Sequence, residues 1–66
     1  MRLIINGENK EFKDNISLLD IIEQLKIKDK VMAAALNMEI VKKDDWNCCV
    51  PKENDKIELL QFVGGG

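Results

Sequence analysis

Histidine is missing from this chain altogether, and its two cysteines, Cys48 and Cys49, are adjacent rather than spaced as Cys-x-x-Cys. Protein metal sites draw mostly on imidazoles and spaced thiolates, so no metal ligand is assigned. Adjacent cysteines cannot staple distant parts of the chain in the usual way. Without histidine there is no Ser-His-Asp constellation, and no Gly-rich phosphate loop precedes a helix. No residue is therefore assigned a catalytic role. Acidic pairs such as Asp44-Asp45 read as a solvated turn. No apolar run approaches the roughly 20 residues of a bilayer span, so no membrane partner is expected. Met1-Arg2-Leu3-Ile4-Ile5 is too short for a signal-peptide core, and a cytoplasmic location is expected. Charge of one sign is lacking too: ten basic and twelve acidic residues give a net charge of −2, with no long run of either. That pattern argues against nucleic acid as a partner.

What is present points to a small folded domain. Sixty-six residues allow one domain, with a core one side-chain layer thick between two elements. A hydrophobic fraction of 45% beside 33% charged residues is ordinary for a globular chain. Leu3-Ile4-Ile5, Asn6-Gly7 and Lys10-Glu11-Phe12-Lys13 predict a hairpin with strands near 1–6 and 9–14, because Asn and Gly tolerate positive φ. Leu3, Ile5 and Phe12 should face inward. Ser17 with Asp20 three residues on is a capping-box variant, and Ile16 and Ile21 are placed as a hydrophobic staple. Leu18, Ile21, Ile22 and Leu25 then share one helical face, predicting two and a half to three turns. Lys26, Lys28 and Lys30 read as a solvated helix end.

Val31 to Asn37 is a continuous apolar run that we read as a strand. Asn37-Met38-Glu39 turns it into a short partner at Ile40-Val41. A helical turn at 44–47 should lay Trp46 over the end of the core, and Pro51 with Asn54-Asp55 marks a loop. Lys56 to Val63 is the last strand. Ile57 and Leu59 take its buried face, which puts Leu60 and Phe62 on the opposite one. A single helix leaves that second face uncovered, so Leu60, Phe62 and Val63 are expected to dock a partner. A helix between a hairpin and a later strand invites a right-handed crossover, placing the last strand parallel to the first. The fold class is α+β: a mixed sheet with one helix across one face, the β-grasp or ubiquitin-like fold, over residues 1–63, with a tail at 64–66.

That tail is Gly64-Gly65-Gly66. No packing argument requires three glycines there. Lacking Cβ atoms, they make a thin tether able to thread a narrow channel in another protein. The group so delivered is the carboxylate of Gly66. Carboxylates resist nucleophiles until an oxygen attacks the α-phosphate of ATP and an acyl-adenylate forms. A persulfide can then displace AMP, and resolution of that adduct leaves a thiocarboxylate whose sulfur is ionised and nucleophilic. A partner enzyme must supply ATP binding, metal and charge stabilisation.

The chain resembles the ThiS family of thiamine-pathway sulfur carriers, which is similar to the molybdopterin-synthase small subunit and to ubiquitin. The likeness rests on Asn6-Gly7, Leu18-Leu19-Asp20-Ile21-Ile22, Ala33-Ala34-Ala35-Leu36-Asn37 with Glu39-Ile40-Val41 and Trp46, Asn54-Asp55-Lys56-Ile57-Glu58, and Phe62-Val63-Gly64-Gly65-Gly66. It implies a carrier, not an enzyme, with no bound cofactor and monomeric when free. Gly66 would be adenylated by an E1-like enzyme using ATP and loaded from a cysteine-derived persulfide. The sulfur would pass to a thiazole synthase. Asn54 stands where family members often have Gly, which Asn tolerates. Cys48-Cys49 is no hallmark of the family and reads as ordinary small residues. Three alternatives stay open: a carrier for molybdenum-cofactor synthesis, a ubiquitin-like protein modifier, and a β-grasp interaction module whose tail is irrelevant.

Overall fold

The computed structural model describes residues 1–62. Its elements run β1 (Arg2–Ile5), β2 (Glu8–Glu11), α1 (Leu18–Gln24), β3 (Val31–Leu36), β4 (Glu39–Val41) and β5 (Lys56–Gln61). Short 3-10 turns at Lys28–Lys30 and Lys43–Asp45 join them. The five strands form one sheet in the order β2-β1-β5-β3-β4. The last strand lies at its centre, parallel to β1 and antiparallel to β3, as the crossover argument requires. The expected boundary at residue 63 and the tail at 64–66 lie outside the described residues.

The core lies between α1 and one sheet face. It takes Leu3 and Ile5 from β1, Leu18, Ile21 and Ile22 from α1, Val31 and Ala34 from β3, and Ile57 and Leu59 from β5, with Ile16 and Trp46 closing its ends. Burying each large aliphatic side chain contributes about 1.5–3 kcal/mol, which makes this layer the main source of stability. Phe12 and Leu25 pack at its rim, half-buried rather than within it.

Local chemistry explains where α1 starts and stops. Ser17 Oγ accepts a hydrogen bond from the Asp20 amide at 3.0 Å, and buried Ile16 and Ile21 complete the staple. The next free amides, of Leu18 and Leu19, donate to the carbonyls of Cys49 (2.7 Å) and Trp46 (3.0 Å), so the loop around Trp46 also caps the helix. Trp46 Nε1 donates to the Val41 carbonyl at 3.0 Å. At the other end Lys26 takes φ 60°, its amide donates to Glu23 O, and that of Ile27 reaches back to Ile22 O. This is a Schellman ending with lysine where glycine is usual. It stops the helix after seven residues, about two turns, shorter than the apolar spacing predicts. The hairpin strands are likewise shorter than expected, although the Phe12 amide still donates to Met1 O at 2.8 Å.

Both hairpins turn through paired positive-φ residues, Asn6-Gly7 (51° and 84°) and Asn37-Met38 (49° and 73°). That geometry matches the twist of the flanking strands. Each turn's asparagine also reaches across to β5. Asn37 Oδ1 accepts from the Lys56 amide at 2.9 Å while its Nδ2 donates to Asp55 Oδ1 at 3.1 Å. Asn6 does the equivalent at Leu59. Of six non-glycine residues at positive φ among the described residues, four are asparagine, which tolerates the region; Lys26 and Met38 are strained. Met38 is also 87% exposed and contributes little packing. Replacing it with glycine, Met38→Gly, should raise stability by roughly 1 kcal/mol, read as a higher midpoint in thermal and urea unfolding.

Candidate functional site

Strand alternation fixes what the helix-free face carries. Ile57, Leu59 and Gln61 point toward α1, so Lys56, Glu58 and Leu60 point away, with Phe62 continuing the alternation. Leu60 and Phe62 are each 61% exposed. Cross-strand pairing extends the patch. Ala33 lies opposite Leu60, Ala35 opposite Glu58, and Ile40 opposite Ala35. Ile40 is 73% exposed. A register shift between Val31 and Ala33 leaves Met32 exposed at a bulge, the only irregularity in the β3–β5 ladder.

The alanines matter because they are short. They lower the middle of the face into an open hollow of about 380 Å³, lined by Asn6, Ala33, Ala35, Ile40, Glu58 and Leu60 among others. A second hollow of about 360 Å³ adjoins Ile4, Gly7, Met38 and Lys56. Leu60 thus lines the first hollow with Glu58, Lys56 lines the second, and exposed Phe62 follows Leu60 along the chain. Contiguous exposed apolar groups of this kind mark sites of protein contact. Leu60 and Phe62 were legible as exposed from the last strand alone. Ile40, Ala33 and Ala35 were not, because an unbroken apolar run hides its alternation. Their signal is the alternation of small residues in a strand that borders β5.

The chain leaves this face at Phe62, whose amide donates to the Lys30 carbonyl at 2.6 Å. Val63, expected to join the docking patch, and Gly64, Gly65 and Gly66, expected to form the tether, lie outside the described residues. Among the described residues no cluster of three or more His, Cys, Asp and Glu is arranged to hold a metal ion. No helix among them is long and apolar enough to cross a membrane.

The two thiols lie on the loop that caps α1, in the chain segment between β4 and β5, and both are free. Cys48 is exposed and Cys49 half-buried. Burial pushes the Cys49 thiol above its ordinary pKa, and the nearby Cys48, Asp55 and Asp45 act the same way. A raised pKa leaves little thiolate near neutrality, the reverse of what a sulfur relay needs.

A mixed five-stranded sheet, with a central last strand parallel to the first and one helix across one face, defines the ubiquitin-like, β-grasp class. Within that class, the model of the ThiS family matches residues 3–66. The chain belongs to the ThiS family, the ubiquitin-like sulfur carriers of thiamine biosynthesis, which are carriers rather than catalysts. It is similar to a sulfur carrier protein ThiS of Bacillus subtilis, 29% identical over 65 residues that cover 97% of this chain and 98% of that protein. It is also similar to a thiazole synthase of Paramagnetospirillum magneticum, 32% identical over 66 residues. The match takes in all of this chain but spans only 20% of that enzyme. The crystal structure of a thiamine biosynthesis protein (ThiS) of Geobacter metallireducens superposes with a TM-score of 0.82, at 26% identity, covering the whole of both chains.

The thiols offer a direct check. Limited alkylation with iodoacetamide at neutral pH should label Cys48 well before Cys49, read by peptide mass spectrometry. Faster labelling of Cys49 would contradict the burial argument.

Proposed function

We propose that this chain carries sulfur to a thiazole synthase as a thiocarboxylate on Gly66, and that Leu60 and Phe62, with Val63, form the surface its partner enzymes grip. The observation that carries the reading is placement. The exposed apolar pair stands on the uncovered face of β5, directly ahead of Gly64, Gly65 and Gly66, in a chain of the ThiS family. The similarity to a segment of a thiazole synthase supports that acceptor, since a carrier and its acceptor must meet in one assembly.

The chemistry proceeds in three steps. A Gly66 carboxylate oxygen attacks the α-phosphorus of ATP on an E1-like adenylating enzyme, and pyrophosphate leaves. The terminal sulfur of an enzyme persulfide attacks the acyl carbon and expels AMP. A partner thiol then attacks the inner sulfur of the resulting acyl disulfide, forming a protein disulfide and releasing the thiocarboxylate. The carrier itself binds no cofactor in this scheme; ATP belongs to the activating partner. The scheme's need for ATP and reduced thiols points to the cytosol as the place of work.

Two outcomes test the reading. Incubation with the adenylating enzyme, ATP and a persulfide source should replace one terminal oxygen by sulfur, seen in the intact mass. Removing Gly66, or blocking it with an uncleavable extension, should abolish this while the unfolding midpoint holds. A blocked variant that still supports thiazole formation contradicts it, and isopeptide adducts would favour a protein modifier instead. Separately, Leu60→Ala and Phe62→Ala should weaken binding to either partner by about tenfold or more, the size expected of apolar anchors in an interface, with stability changed by less than about 1 kcal/mol. Unchanged binding with lost stability would show the pair to be structural.

A further inference from the structure

The asparagine at the first hairpin does more than turn the chain. β1 and β5 run parallel only through Ile4↔Lys56 and Ile5↔Ile57. The Asn6 amide donates to the Ile57 carbonyl at 2.9 Å. In a continuing parallel ladder the Asn6 carbonyl would next accept from the Leu59 amide. The chain has already reversed at Asn6 (φ 51°) and Gly7 (φ 84°), so its carbonyl is unavailable. The side chain takes that place: Asn6 Oδ1 accepts from the Leu59 amide at 2.8 Å, and Nδ2 donates to the Leu59 carbonyl at 3.2 Å. One amide group thus stands in for one peptide of a missing strand.

No other backbone or side-chain hydrogen bond holds β5 from the β1 side beyond Ile57 among the described residues. After Leu59 the strand is held from the β3 side alone, through Ala33↔Leu60, Val31↔Gln61 and the Phe62 amide on the carbonyl of Lys30, the residue before β3. Asn6 is therefore the last restraint on β5 from the β1 side before Leu60 and Phe62.

We propose that Asn6 is a positioning residue for sulfur loading: its side-chain amide fixes the heading of β5 at Leu59, so that the tail leaves the docked body in the direction the activating enzyme requires. The inference rests on the carrier reading above. Its chemical content is that a tether delivers its end group productively only if its root is fixed, since small displacements of a reacting group lose large factors in rate.

A matched control lies in the same molecule. Asn37 has nearly the same backbone conformation (φ 49°), also turns a hairpin, and also holds β5, but at Lys56. It braces the start of the strand, away from the tail. The experiment compares Asn6→Ala with Asn37→Ala, using the full chain as varied substrate of the adenylating enzyme and pyrophosphate release as the signal. Asn6→Ala should lower kcat by roughly tenfold or more while KM stays within about twofold. Asn37→Ala should leave both near the parent values, even where the two variants melt at similar temperatures. Amide hydrogen exchange gives a reading that needs no enzyme. Exchange at Leu59 to Phe62 should accelerate in Asn6→Ala and not in Asn37→Ala.

Equal kinetics for the two variants would overturn the proposal, as would a raised KM with unchanged kcat, which would make Asn6 a docking contact. Equal exchange at Leu59 to Phe62 would overturn it whatever the kinetics. Failure of the parent chain to release pyrophosphate would count against the carrier reading instead, and the exchange comparison would still decide whether Asn6 holds the strand.

Discussion

The structure depends on the central placement of β5. A strand that comes last in the chain yet lies in the middle of the sheet must be gripped from both sides by elements made earlier. β1 grips it in parallel at Ile4 and Ile5, and β3 grips it antiparallel from Val31 to Leu36. Parallel pairing needs a crossover, and α1 supplies it while covering the face that carries Leu3, Ile5, Ile57 and Leu59. The two hairpin asparagines then bracket β5 at Lys56 and Leu59. Each such hydrogen bond contributes only about 1 kcal/mol net. Asn37 acts where the strand begins, and Asn6 where its pairing with β1 has ended.

This arrangement separates stability from recognition across the thickness of one sheet. Side chains of β5 alternate, so one short segment serves both purposes. Ile57 and Leu59 anchor the strand in the core, and Leu60, with Phe62 beyond the strand's end, is left to solvent. A substitution on the outer face can change what binds without opening a cavity beneath it. The short side chains of Ala33 and Ala35 reinforce the division, since they leave a hollow on the outer face while Ala34 between them faces the core.

Much of this was legible in the sequence where local chemistry and global fold agree. Ser17 with Asp20, Ile16 with Ile21, and Asn6-Gly7 each name a specific hydrogen bond, contact or turn, and each is found. The parallel placement of β5 followed from the handedness of crossovers, and the exposure of Leu60 and Phe62 from alternation. The reading failed where a residue performs a task for which another type is usual. Lys26 ends α1 in the conformation that glycine normally marks, so the helix was expected to run on. Met32 sits at a bulge that no local pattern announces, and it obscures the two-residue period of β3. Docking of the Trp46 loop onto the first amides of α1 is a long-range match between carbonyls and donors, which side-chain identity does not encode.

The surroundings of Cys49 disfavour a sulfur relay through its side chain. A cysteine relay would need a thiolate near the surface, with cations or a helix N-terminus to stabilise it. Cys49, although its loop caps α1, is partly buried beside a second thiol and the carboxylates of Asp55 and Asp45, and its pKa is raised. Its main chain, moreover, is committed to capping α1 through the Leu18 amide, so movement of this loop to present a thiol would uncap the helix.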